Sequence, residues 1–283
     1  MMIHHHFVIA CCACLMLMHA ACHGQEPAAK PPINTATPRV WIFNGTPGDD
    51  EHHEFYEANL QSLRTSLTKR FAVPAANITV LYGPKNAGYD GPCTREALLA
   101  ELEKVVAHAK TAGAGPVWII LEGHANPVPG GAMFNLPGPD VSMREIGDAL
   151  KGCPPQVPLV VLGTTTVSTD MMKRLSGPGR YVITASSAGD KESETEFPRA
   201  LAQALAADAS DANHDGVLSI TELFLATNEA VLAIYKQGDY IVTEHAQLDG
   251  NGDGKGTQRP AQEDAEPAER IGLAIGGGSA KFE

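Results

Sequence analysis

Twelve residues at 211–222, DANHDGVLSITE, carry oxygen donors at the intervals a hard divalent cation needs. With Asp211 first, Asn213 stands third and Asp215 fifth, and Gly216 is sixth, where the chain must turn left-handed. The Val217 carbonyl is seventh and Ser219 ninth, acting through water. Glu222 is twelfth, where a carboxylate binds with both oxygens. This all-oxygen set predicts Ca2+. A second run, DGNGDGKGTQRP at 249–260, repeats the first half with Asp249, Asn251, Asp253 and Gly254. Pro260 occupies the twelfth place, so the bidentate ligand is missing and no normal exiting helix is expected. The run reads either as a weak second metal site or as a solvated turn.

A different chemistry is offered by His124 and by the hydroxyl run Thr164–Ser168 in PLVVLGTTTVST. A histidine after one strand and hydroxyls after its neighbour make a base and a nucleophile, provided the base reaches the hydroxyl proton. Hydroxyls at strand ends also satisfy local backbone N–H groups, and the residues alone leave both readings open. Glu244 and His245 lie near the second acidic run at a spacing that fits no zinc site, and read as packing or solvent contacts.

These residues need strands and helices to hold them. Apolar runs at 39–45, 77–83, 116–124, 157–163 and 180–187 predict five strands, the third apolar enough to be covered on both faces. Between the first two strands, Tyr56, Leu60, Leu63, Leu67 and Phe71 recur on one helical face behind an acidic start at Asp49, Asp50 and Glu51. Thr94 caps a second helix bearing Leu98, Leu102, Val105 and Val106, and Ser142 with Glu145 forms a capping box for a helix over 143–150. Strand–helix alternation implies an α/β domain with a mainly parallel sheet and right-handed crossovers. Ligands of such sheets bind beyond the carboxyl ends of the strands, where Asn44, Glu122, His124 and Thr164–Ser168 fall. Helical spacing on both sides of the Asp211 loop predicts a helix–loop–helix there. Arg180, in the GPGR turn before the fifth strand, reads as a solvated charge at the opposite edge. The tail from Ala261 reads as loop with at most one short edge strand.

Taken in order, VWIILEGHA, FNLPGPDVS, LVVLGTTTVST and PGRYVITASS resemble the caspase-like peptidases, which include legumains, gingipains and caspases. They are most similar to bacterial legumain-like proteins with a calcium-loop tail. The resemblance spans roughly residues 39–255 and implies a three-layer αβα sandwich. It places the catalytic histidine at His124, followed by Ala125 where glycine is usual. It places the nucleophilic cysteine at Thr166, and no cysteine occurs in 154–283. A thiol is a few per cent thiolate at neutral pH and a threonine hydroxyl is not. The resemblance thus implies a catalytically defective homologue that binds peptide or protein, with Asn44, Ser186, Ser187 and Asp190 lining the substrate pocket. Two alternatives stand: an active peptidase using Thr166, Thr165 or Ser168 with His124, and a calcium-dependent cell-envelope interaction module.

The 283 residues include 43% hydrophobic and 19% charged, enough for a full core, and the formal net charge is −12. No Lys/Arg cluster tracks phosphates, so nucleic acid is excluded as a partner. Residues 1–22 read as an export signal with the apolar run FVIACCACLMLM, too short for a bilayer span. Ala20-Ala21-Cys22 resembles a lipobox, which would make a lipid on Cys22 the sole membrane contact. The expected location is the periplasm, the cell envelope or the exterior. A Pro- and Ala-rich linker spans 23–38, the α/β core 39–200, the calcium-loop region 197–257 and the tail 258–283. Cys93 and Cys153 fall at opposite edges of the sheet and are expected to be free thiols.

Overall fold

The computed structural model describes residues 32–84, 88–188, 190 and 194–276. The signal and lipobox at 1–22, and the linker as far as residue 31, lie outside the described residues. Among those described, no helix is long and apolar enough to cross a membrane.

The central sheet has seven strands. Five come from the long apolar runs: β1 (Arg39–Asn44), β2 (Ile78–Tyr82), β4 (Val117–Glu122), β8 (Leu159–Gly163) and β9 (Arg180–Thr184). The short β3 (Gly91–Pro92) closes one edge and β11 (Gln247–Asp249) the other, giving the order β11-β9-β8-β4-β1-β2-β3. All pairs are parallel except β11 on β9. The fourth and fifth strands and β11 therefore put the Asp249 loop on the sheet itself, because β11 runs into it.

Alternation along each strand sends neighbours to opposite faces. Val40, Ile42, Ile120 and Leu162 face one layer, formed by α1 (Asp50–Thr65), α5 (Phe197–Ala206) and α6 (Ile220–Gln237). Trp41, Phe43, Leu121 and Val161 face the other, formed by α2 (Arg95–Ala109), α3 (Met143–Leu150) and α4 (Thr169–Leu175). The three-layer αβα architecture expected from the sequence is the one observed. α1 keeps its predicted face, Tyr56, Leu60 and Leu63, and a π-helical turn at Ser66–Arg70 carries Leu67 into the same core. The capping boxes at Ser142/Glu145 and Ser219/Glu222 are both formed.

After β4, a small antiparallel sheet of β5 (Ala125–Val128), β6 (Gly131–Phe134) and β7 (Val141–Ser142) stands at the carboxyl edge. A second small pair joins β10 (Val217–Ser219) to β12 (Gly272–Ala274). Cys93 and Cys153 are free, as expected, and Cys93 is buried.

Two expectations are corrected. The tail is not loop-like, because α7 (Gln262–Glu269) follows Pro260 by two residues. Glu263 and Asp264 in its first turn suit the positive end of the helix dipole. Arg180 is not a solvated charge. Its guanidinium is half-buried and donates to the carbonyls of Leu150 (2.7 Å) and Leu175 (3.3 Å), at the carboxyl ends of α3 and α4.

Candidate functional site

At the carboxyl edge β4 ends on Glu122, and Gly123 turns the chain with φ +134°, a region L residues rarely adopt. A Cβ there would meet the Gly45 backbone nitrogen at 3.0 Å, so the turn that presents His124 requires glycine. His124 Nδ1 lies 2.7 Å from Glu194 Oε1, and Nε2 lies 3.2 Å from Asn126 Oδ1. Asn126 in turn donates to Asn135 at 3.0 Å. The same Glu194 oxygen is 3.9 Å from His52 Nε2, while His52 Nδ1 meets Asp49 at 2.6 Å. Glu194 thus sits between two imidazoles. Neither Glu194 nor His52 was singled out from the sequence, since their proximity to His124 is created by folding across 70 and more residues.

The hydroxyl run behaves differently. Thr166, buried at 1% exposure, donates its hydroxyl proton to Ala125 O at 2.7 Å and accepts from Ala125 N at 3.0 Å. Thr165 donates to the Thr166 carbonyl, and Thr164 to Leu121 O. The Ser168 hydroxyl pairs with that of Ser186 at 3.1 Å and also accepts from Ser186 N. None of Thr165, Thr166 and Ser168 hydrogen-bonds to His124. Between Thr166 and Ser168, Val167 takes φ +52°, a left-handed conformation that is an outlier for a β-branched residue. The strain falls on the turn that holds these hydroxyls inward.

The four proposed pocket residues are partly consumed by the fold. Asn44 is fully buried and donates to Glu122 Oε2 at 3.0 Å. Ser186 is buried against Ser168. Asp190 accepts from the backbone nitrogens of Ser187 (2.6 Å) and His245 (2.8 Å) and meets the His245 ring at 2.6 Å. Ser187 and Asp190 stay partly exposed. Glu244, the neighbour of His245, is buried and accepts from Glu196 N. Burial pushes the Glu244 carboxyl up to about 7.

Beneath the site lies Glu122, fully buried, its carboxyl pushed up to about 8 by desolvation. The hydrogen bond from Asn44, with the amide of Asn59 nearby, opposes the shift only in part. Glu122 Oε1 and Asn44 Oδ1 are both buried without a partner.

In the Asp211 loop, Asp211 accepts from Asp215 N and Gly216 N, Asn213 from Asp215 N, and Asp215 from Val217 N, at 2.9 to 3.2 Å. Gly216 has φ +83°. Glu222 folds back so that Oε1 accepts from Asn213 N at 3.3 Å. The Asp249 loop repeats the pattern: Asp249 accepts from Gly252 N and Gly254 N, Asn251 from Asp253 N, and Asp253 from Lys255 N, at 2.7 to 2.8 Å. Opposite it, where Pro260 supplies no carboxylate, α7 brings Asp264, whose Oδ1 accepts from Gly250 N at 3.3 Å. Burial, then the charges of Asp249 and Asp253, raise the Asp264 carboxyl above its ordinary value. Sequence reasoning missed Asp264 because it counted to the twelfth place and stopped. Among the described residues no three His, Cys, Asp or Glu side chains are already gathered to hold a metal. The case for calcium rests on the all-oxygen donor set and the backbone shape, which fit a hard cation.

The architecture has solved counterparts. Over 88% of this chain and 95% of the other, it is similar to the Drosophila initiator caspase Dronc, with a TM-score of 0.54 and 18% identity. Over 75% and 87% it is similar to caspase-1 from Spodoptera frugiperda, with a TM-score of 0.50 and 12% identity. The fold is caspase-like. No family model matches the chain, and no curated protein does. At these identities the likeness establishes the fold and not the chemistry.

Proposed function

We propose that this chain is an exported, calcium-binding relative of the legumain-like peptidases that binds peptide or protein at the carboxyl edge of its sheet and no longer cleaves it. One observation carries the reading: the Thr166 hydroxyl, at the position the resemblance assigns to the nucleophile, is committed at both donor and acceptor to the Ala125 backbone. Attack requires a base to take the hydroxyl proton, and here the hydroxyl donates that proton in a hydrogen bond to the Ala125 carbonyl oxygen. His124 is engaged with Glu194 and Asn126 instead. Threonine at this position serves to tie the turn after β8 to the strand that follows His124. Calcium at Asp211, Asn213, Asp215, Val217, Ser219 and Glu222 holds α5 and α6 against the sheet, and Asp249, Asn251 and Asp253 form a second, weaker site. A lipid on Cys22 is the proposed membrane tether.

The test is a mixed peptide library offered to the mature wild-type protein, T166A and T166C with calcium present, read by mass spectrometry for cleavage and for retention. Retention without cleavage by wild type is expected, with cleavage appearing in T166C. Wild-type cleavage that disappears in T166A would establish a hydroxyl nucleophile and overturn the reading. Neither cleavage nor retention by any of the three would leave the calcium-dependent envelope module as the better account.

A further inference from the structure

The helix α6 is covered on one side only. Leu223, Phe224, Thr227, Val231 and Tyr235 are buried in the core shared with α5. The opposite side exposes Leu225 (43%) and Leu232 (48%), with Glu229, Ala233 and Lys236 exposed beside them. Positions 225, 229, 232 and 236 are spaced 4, 3 and 4 apart, which places them in one stripe. Just past the helix, Tyr240 (71% exposed) and Ile241 (86%) are also exposed, the Tyr240 ring lying against Gly238. Apart from Val128, these four are the exposed large hydrophobic residues among those described. Neither Glu229 nor Lys236 has an ion-pair partner within the described chain.

The stripe is complementary to itself. Within the helix, which ends at Gln237, a two-fold axis passing between positions 232 and 233 sets Glu229 opposite Lys236 at equal distances along the helix, with Leu232 and Ala233 of the two copies meeting at the centre. Apolar residues meet apolar ones and the acid meets the base, twice over. Isologous interfaces require this property, because the same patch is used by both copies.

We propose that α6 is a homodimer interface, with two copies of this chain crossing antiparallel along the stripe. Shallow antiparallel packing near 20° lets such stripes interdigitate over their length. One helix and a two-residue extension bury less than about 1,200 Å² in total, the low end of specific interfaces. An interface of this size gives a weak, concentration-dependent dimer, and it requires neither peptide nor calcium.

Sedimentation equilibrium of the mature chain across micromolar concentrations tests the proposal, with circular dichroism confirming that each variant is folded. E229K alone and K236E alone each place like charges opposite one another at two places in the dimer, and are expected to weaken self-association about tenfold. The double variant E229K/K236E restores unlike pairs and regains wild-type association. An equimolar mixture of the E229K and K236E chains associates as heterodimers about as tightly as wild type, while each chain alone self-associates about tenfold more weakly. A wild-type monomer at all concentrations, a dimer indifferent to both single swaps, or a double variant as weak as the singles would each overturn the assignment.

Discussion

Glu122 offers the most direct energetic test of the site, through Glu122→Gln. The carboxyl is fully buried and its pKa rises from 4.5 to about 8 on folding. The folded state therefore keeps a proton that the unfolded chain releases above pH 4.5. Stability from this group is intact below pH 4.5, declines as pH rises through the window, and levels off above pH 8. The slope approaches about 1.4 kcal/mol per pH unit, for a total of up to about 5 kcal/mol. That is a large part of a typical domain's 5–15 kcal/mol, so roughly a third or more of the total is at stake. Glu244, raised to about 7, adds a loss of the same sign that ends a unit earlier, so the wild-type slope alone does not isolate Glu122. The difference between wild type and Glu122→Gln does, because every other group is common to both chains. Glutamine carries no titrating proton, and its side-chain oxygen still accepts from Asn44 Nδ2. Urea unfolding at pH 5, 6, 7, 8 and 9, in constant excess calcium, should show the variant gaining on wild type through the window and running parallel above it. Parallel curves from pH 5 to 8 would refute the claim that this carboxyl is held protonated by burial.

Glu222→Gln should weaken calcium binding at least about tenfold in a calorimetric titration, because it neutralises the bidentate carboxylate; calcium should raise the melting temperature of wild type and do so less for the variant. Asp264→Asn should weaken only the weaker of two calcium-binding events, whereas Pro260→Ala should leave both unchanged, since it is Asp264 that faces the Asp249 loop. Gly123→Ala should cost about 1–3 kcal/mol through strain at φ +134°, and should shift the His124 ring resonances, as seen by NMR, by moving the turn that presents the imidazole.

What the sequence made legible follows from how the fold buries each segment. Strands covered on both faces, such as VWIILE, are continuous apolar runs that admit few other readings. The α1 stripe from Tyr56 to Leu63 was visible because one face meets the sheet and the other meets water. The short α7 was not visible: it buries only Asp264 and Ala268, contains Pro267, and is held by its neighbours rather than by its own pattern. Arg180 was placed at the correct edge but in the wrong medium, because its partners are the carbonyl ends of α4, just before it, and of α3, 30 residues away, and only folding brings the latter to it. The candidate site divides in the same way. His124 and Thr166 could be located by strand ends, yet what they touch, Glu194 and the Ala125 backbone, is decided by tertiary packing. The strand pairing of Gln247–Asp249 with β9 was equally hidden, since three residues carry no usable period.

The two acidic loops are not independent appendages, and α7 is the reason. Its Asp264 reaches the Asp249 loop through Gly250 N, while the next residue, Ala265, accepts from the Thr221 hydroxyl beside Glu222. Two consecutive residues of one short helix thus touch both loops. Beyond α7, β12 pairs with β10 inside the Asp211 loop, and Ile275 N donates to Gly216 O at 2.9 Å. On the other side, β11 feeds the Asp249 loop directly from the central sheet, and His245 just before it is clamped to Asp190 beyond β9. Glu244 likewise holds Glu196 N, two residues after the Glu194 that contacts His124. A continuous set of hydrogen bonds therefore runs from the Asp211 loop through α7 and the Asp249 loop to the segment that contacts His124. Contiguity of this kind becomes coupling only if an element along it has two arrangements that both ends bias. α7 is the best placed to be that element: it buries little of its own surface, and one of its few buried groups is a carboxyl repelled by Asp249 and Asp253. That repulsion, which burial of Asp264 leaves unrelieved, is what makes the position of α7 sensitive to the charge state of the Asp249 loop.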